Sequence, residues 1–484
     1  MSQEVSQLEP KQIWKNFSKL NAIPRGSKKE ERVVAFMVDF GKSLGLETKV
    51  DAVKNVLIKK PATPKMQNCR TIVLQSHLDM VHQKNNATVF DFDKQGIDMF
   101  IDGDWVKARG TTLGADNGLG VAAIMGILES KNIEHPAIEA LFTIDEETGM
   151  SGAKGLQAGF LTGDILLNLD TEEDDEIDIG CAGGLDVTAS KSYSEKDVPK
   201  DTLAYQITLR GLRGGHSGMD IHRGFGNANK MMNEILLQGS DLISVASIHG
   251  GSLRNAIPRE SVAVIVIDKK HEAQIKKTID EVSKAIKIKF KNIEPGMDLL
   301  FEPVKNPAKV MDPAAQKQLL EAIGNAHNGV YIMSEDMPDL VEASNNIAKV
   351  NVQDGSIMIE CLTRSSVEKT KAEVAEQLKK TFESKGFKTV LSGDYPGWKP
   401  NPESPILAVL TELYTTVFNA EPKVVACHAG LECGILGTNY PGMDMISFGP
   451  TIHGAHSPDE KANIASAQKF WKFLLAILQH IPHK

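Results

Sequence analysis

The chain is short of several things, and each shortage narrows what it does. It has five cysteines in 484 residues, at 69, 181, 361, 427 and 433. No two have zinc-ribbon spacing and no disulfide framework emerges, so reduced thiols of a cytosolic compartment are expected. There is no basic block. Lys and Arg number 54 against 63 Asp and Glu, interspersed, for a formal net charge of −9. A phosphate backbone needs a clustered positive face, so nucleic acid is not an expected partner. The longest apolar stretch, around Leu119 to Leu128, falls far short of the ~20 residues a bilayer requires. The opening MSQEVSQLEPKQIWKNF lacks a basic segment followed by an apolar one, so it does not read as a secretory signal. The expectation is a cytoplasmic protein with no membrane partner.

What is present is ordinary globular material, 41% hydrophobic and 24% charged. The length suggests about two to three domains. The acidity serves solubility, or some of the carboxylates hold cations.

Helical spacing marks residues 9–21 and 28–44. Short apolar runs follow at 56–58 and 71–75, the second ending at Ser76-His77-Leu78-Asp79. After a turn-rich loop at 110–114 and Asp116-Asn117, residues 118–129 read as a buried helix. Further apolar runs end at Asp145-Glu146-Glu147 and at Asp170. Strands alternating with helices predict an α/β domain whose mixed, largely parallel sheet carries helices on both faces. Near residue 187 the pattern changes to alternating strands, with helices near 226–238, 271–286, 313–325 and 366–385. This predicts an inserted α+β lid domain. The turn-rich stretch 394–402 reads as a linker, after which apolar strands at 424–426 and 445–448 return to the first sheet. The expected division is a catalytic domain over 1–186 and 399–484, with the lid at 187–398.

His77, Glu146, Glu147 and Asp170 each fall where an apolar strand ends, the edge at which open α/β sheets bind ligands. With Asp79, Asp116 and His456 they form a crowd of carboxylates and imidazoles that would repel unless cations neutralised it. Such donors suit zinc, with cobalt or manganese as alternatives. The carboxylate count favours two ions, which would share one bridging carboxylate and activate water. The adjacent pair Glu146-Glu147 can supply one ligand and one proton acceptor.

The blocks SHLDMV (76–81), TTLGADNGLGVA (111–122), DEETGM (145–150), NLDTEE (168–173) and HGAHSPDE (453–460) stand in an order and spacing that carry a resemblance. The chain resembles the co-catalytic zinc exopeptidases and deacylases, a family that includes carnosinases, acetylornithine deacetylases and tripeptide aminopeptidases. GLRGGHSGMDIH (211–222), GGSLRNAIP (250–258) and ECLTRSS (360–366) extend it through the insert, and the aminoacyl-histidine dipeptidase branch is the most similar. The likeness runs over nearly the whole chain.

The resemblance implies that His77 and Asp170 bind one metal, Glu147 and His456 the other, and Asp116 both. It makes Glu146 the general base and Asp79 the partner that fixes the His77 tautomer. His216 would stabilise the oxyanion, Arg364 would clamp the substrate's carboxylate, and Asn255 would hold its backbone. It also implies a cis peptide after Asp116, activity that depends on lid closure, and a homodimer. The expected function is dinuclear-zinc hydrolysis of unblocked dipeptides, Xaa-His compounds such as carnosine above others. The alternatives are a tripeptide aminopeptidase, an N-acyl amino acid deacylase, or a metal-holding protein without catalysis; the presence of Glu146 argues against the last.

Each of these residues has a plainer reading. Asp116 can cap the helix that follows it, and His453 competes with His456 for the metal. Glu146 and Glu147 can be solvated loop charges, and the acidic run 172–175 is read as a solvated face. His82, His222, His249 and His428 are read as structural or pocket residues, Cys427 and Cys433 as small buried ones, and Met231 and Met232 as core.

Overall fold

The structure is a computed structural model describing residues 4–85, 87–335 and 337–484. The chain divides into two compact units. The first comprises residues 1–180, 398–426 and 431–484, and the second comprises 181–397 and 427–430.

The first unit is built on an eight-stranded mixed sheet. Its order is Glu47–Val50, Val56–Lys60, Ile138–Thr143, Ile72–His77, Ile165–Asn168, Asp444–Ser447, Glu176–Cys181 and Lys423–Cys427. The four central strands, from Ile138–Thr143 to Asp444–Ser447, run parallel. Their neighbours Val56–Lys60 and Glu176–Cys181 pair antiparallel. Every residue of Ile72–His77, Ile138–Thr143 and Ile165–Asn168 is buried, as expected of parallel strands covered on both faces. The expected α/β class with a largely parallel central sheet is therefore present, with antiparallel strands toward its edges.

The helix Ala115–Glu129 is buried along nearly its whole length, because its small and aliphatic residues leave no polar face. Its first turn is irregular: Asp116 and Asn117 have non-helical angles and the peptide between them is cis. Parallel register sets His77 beside Thr143 and Gln75 beside Asn168, and Asn168 beside Ser447. The loops leaving these strands therefore emerge at one edge.

The second unit has a nine-stranded sheet whose pairings are antiparallel. Its path runs Asp298–Val304, Thr202–Arg210, Ser261–Asp268, Ile243–Gly250, Val341–Gln353, Ser356–Ser365, Gly183–Ser192 and Lys388–Tyr395, with Gly329–Met333 beside Val341–Gln353. Alternation supplies one apolar face, including Val187, Ile207, Ile265 and Ile359. That face packs on the helices Ala228–Gln238, Glu272–Lys289, Pro313–Asn325 and Glu368–Glu383. Met231 and Met232 lie in this core. Asp394 and Tyr395, read above as linker, end a strand instead. Among the described residues no helix is long and apolar enough to cross a membrane.

Candidate active site

Seven of the ten residues singled out in the sequence meet at the C-terminal edge of the first unit's parallel strands. His77 ends its strand, 1% exposed. Its Nδ1 lies 3.3 Å from Asp79 Oδ1. Its Nε2 lies 3.1 Å from Asp116 Oδ1 and 3.5 Å from Asp170 Oδ1. The other Asp116 oxygen, Oδ2, lies 3.2 Å from His456 Nε2, and that nitrogen is 2.8 Å from Glu147 Oε2. Asp116 thus turns one oxygen to each imidazole. Asp79 also accepts the backbone N–H groups of Glu146 and Glu147 at 3.1 and 3.2 Å and the Ser27 hydroxyl at 2.8 Å. It therefore holds the Glu146–Glu147 loop as well as the ring of His77.

Among the described residues three groups of donor atoms are close enough to share a cation: His77 with Asp116 and Asp170, Asp116 with Glu147 and His456, and His77 with Glu146 and Glu147. The first two share Asp116 and use different imidazoles. The electrostatics fit cations at both places. Hydrogen bonds to Asp116 and Glu147 push His456 up to about 11. Burial and the Asp116 charge push Glu147 up to about 7. Burial, with the charges of Asp170 and Glu147 adding to it, drives the Glu146 carboxyl well above the usual range. The negative charge here exceeds what two imidazolium groups meet. Divalent cations would meet it while leaving both rings neutral, the form that ligates.

The sequence reading missed the groups that brace these residues. Arg25, fully buried, donates to the carbonyls of Leu78, Asp79 and Gly114 and to Asn21 Oδ1. Burial draws it down to about 10. Glu460, 2% exposed, accepts the backbone N–H groups of Leu113, Gly114, Ala115 and Asp116. It clamps the turn that presents Asp116, and its position within HGAHSPDE was the available signal. Asn117 Nδ2 donates to Asp170 Oδ1 and to the Leu169 carbonyl. Glu432, fully buried, accepts from Gln75 Nε2 and Thr143 Oγ1, and burial raises it to about 8.

The other three residues lie in the second unit. The His216 ring accepts two backbone N–H groups on Nδ1, from Gly218 at 3.3 Å and Met219 at 3.1 Å. Its Nε2 lies 3.5 Å from Arg364 Nη2. Arg364 is 4% exposed. Asn255 is exposed beside Ala256, the register partner of His216, and its carbonyl accepts the Ser217 N–H at 2.8 Å. His428, read above as structural or pocket-lining, packs here with Nε2 2.8 Å from Ser344 Oγ. Burial and the Arg364 charge lower it to about 3.

The family described as Peptidase family M20/M25/M40 matches residues 73–480. The chain is 42% identical over 483 residues to the cytosol non-specific dipeptidase of Escherichia coli, covering 99% of this chain and 100% of that protein. The crystal structure of aminoacylhistidine dipeptidase from Vibrio alginolyticus superposes with a TM-score of 0.90 at 41% identity, covering 100% of this chain and 99% of that one. Aminopeptidase PepT from Bacillus cereus shares the fold, with a TM-score of 0.57 at 15% identity over 98% of this chain and 99% of that one. By the extent of these matches, the chain belongs to peptidase family M20/M25/M40.

Proposed function

We propose that this peptidase is a dinuclear-zinc dipeptidase acting on unblocked dipeptides, with Xaa-His compounds such as carnosine preferred. The observation that carries the reading is the Asp116 carboxylate, with its two oxygens on two different imidazoles, 3.1 Å from His77 and 3.2 Å from His456. A carboxylate placed so is what a two-metal site needs as its bridge. The names of the E. coli and Vibrio relatives support dipeptides as the substrate class.

In this reading His77 and Asp170 hold one cation, Glu147 and His456 the other, and Asp116 both. Two divalent cations would polarise the scissile carbonyl and lower the pKa of the attacking water. Glu146 takes the proton from that water and delivers it to the leaving amine. Asp79 keeps the His77 proton on Nδ1, so that Nε2 faces the metal. His216 stabilises the oxyanion, Arg364 binds the terminal carboxylate and Asn255 the peptide backbone. The E. coli relative's name, with "cytosol" in it, supports a cytoplasmic location, and a homodimer is proposed from kinship.

The test is hydrolysis of β-Ala-His, Gly-His, Leu-Leu, a tripeptide and an N-acetyl amino acid, with added zinc, cobalt or manganese and after chelation. Metal-dependent cleavage confined to dipeptides, fastest with C-terminal histidine, is the expected result. Equal rates on Leu-Leu and Gly-His would remove the histidine preference alone. Preference for the tripeptide or the acetylated compound would replace the substrate class. Bound metal with no turnover would favour a binding role.

A further inference from the structure

The guanidinium of Arg364 is buried, yet among the described residues no carboxylate pairs with it. Its Nε has no hydrogen-bond partner. The charge of Asp186 reaches it only from beyond ion-pair distance, and its open N–H can take a carboxylate. Two side chains stand beside it, one at each arm. His216 Nδ1 accepts two backbone N–H groups, and His216 Nε2 lies 3.5 Å from Arg364 Nη2. On the other arm, Arg364 Nη1 donates to the Tyr395 hydroxyl at 2.9 Å. A hydroxyl that accepts from a guanidinium keeps its own proton for another acceptor.

Tyr395 is held in place from several sides. Arg364, Gly184 and Tyr395 form one row across three neighbouring strands. A Cβ on Gly184 would come within 2.5 Å of the Tyr395 ring, so glycine there leaves the space the ring fills. The backbone is fixed as well. Lys371, 2% exposed, donates to the Tyr395 carbonyl at 2.6 Å and pairs with Asp394 at 2.8 Å and Glu368 at 3.0 Å. A buried ammonium used to pin one tyrosine at a strand end implies that the position of that side chain matters.

We propose that Tyr395 is a specificity-determining residue of this peptidase: it orients Arg364 and donates its hydroxyl proton to the same terminal carboxylate of the peptide. The inference rests on the reading of Arg364 as the carboxylate-binding residue, and the experiment separates the two. Gly-His and its C-terminal amide are compared as substrates for the wild type, Tyr395→Phe and Arg364→Gln, with melting temperatures recorded. The wild type prefers the acid. Tyr395→Phe raises KM for the acid about tenfold with kcat close to wild type, and shifts the amide by no more than about twofold. Arg364→Gln abolishes the preference. A Tyr395→Phe enzyme with wild-type preference, while Arg364→Gln loses it, overturns the tyrosine and leaves the arginine standing. An equal loss on acid and amide marks a purely structural tyrosine and also overturns the proposal. A preference missing from the wild type, or surviving Arg364→Gln, defeats the arginine reading and the tyrosine with it.

Discussion

Asp79 Oδ1 stands 3.3 Å from Nδ1 of His77, with both side chains almost wholly buried. In the proposed reading this carboxylate keeps the ring proton on Nδ1. Asp79→Ala is expected to weaken metal binding by about 10- to 100-fold. Metal competition with a chromogenic chelator measures it. Unchanged affinity would mean that the two backbone N–H groups Asp79 accepts are its whole purpose.

Removing the proposed proton acceptor separates chemistry from binding. Glu146→Ala should retain both metal equivalents by elemental analysis and lose about 10²- to 10⁴-fold in kcat. Turnover that survives this change would reassign the base, and Glu147 is the neighbour to examine next.

Gly120 faces three oxygens. A Cβ there would lie 2.2 Å from Asn117 Oδ1, 2.5 Å from Ser76 Oγ and 2.7 Å from the Leu169 carbonyl. Backbone cannot yield as a flexible side-chain tip can, so Gly120→Ala is expected to cost about 1–3 kcal/mol. Because Asn117 also holds Asp170, the change should lower metal affinity too. The denaturant midpoint and a metal titration report the two effects.

His428 gives the fold an acid-sensitive element. Its folded pKa, about 3, lies below the ordinary 6.5. The unfolded chain therefore takes up a proton that the native state refuses. The stabilisation is complete above the unfolded value and is lost as pH falls from 6.5 toward 3. By pH 5 the loss is about 2 kcal/mol. His428→Gln, measured against wild type by chemical denaturation at pH 8 and pH 5, should show a smaller fall. Parallel pH profiles would deny the histidine this role.

The strand-end residues are legible in the sequence because parallel strands deliver their loops to one edge, which puts His77, Glu146, Glu147 and Asp170 together. The bracing residues were opaque for a physical reason. Arg25 and Glu460 act on backbone carbonyls and N–H groups of distant segments, and a backbone group leaves no mark in the sequence of the segment that supplies it. Glu460 stood inside a recognised block with nothing to show that it receives four N–H groups. Tyr395 lay in a run of Pro, Gly and Asp that reads as a turn; only the antiparallel pairing with Gly184 reveals a strand end aimed at Arg364.

The strand Asp444–Ser447 sits between Ile165–Asn168 and Glu176–Cys181 in the sheet. A ribosome making this chain completes every residue of the second unit before it reaches that strand. The first unit must therefore wait with Ile165–Asn168 lacking its parallel neighbour and Glu176–Cys181 its antiparallel one while a later-coded unit folds ahead of it. Nascent chains stalled before residue 444 should carry a folded second unit and a first unit still open to protease, so the order of assembly inverts the order of synthesis.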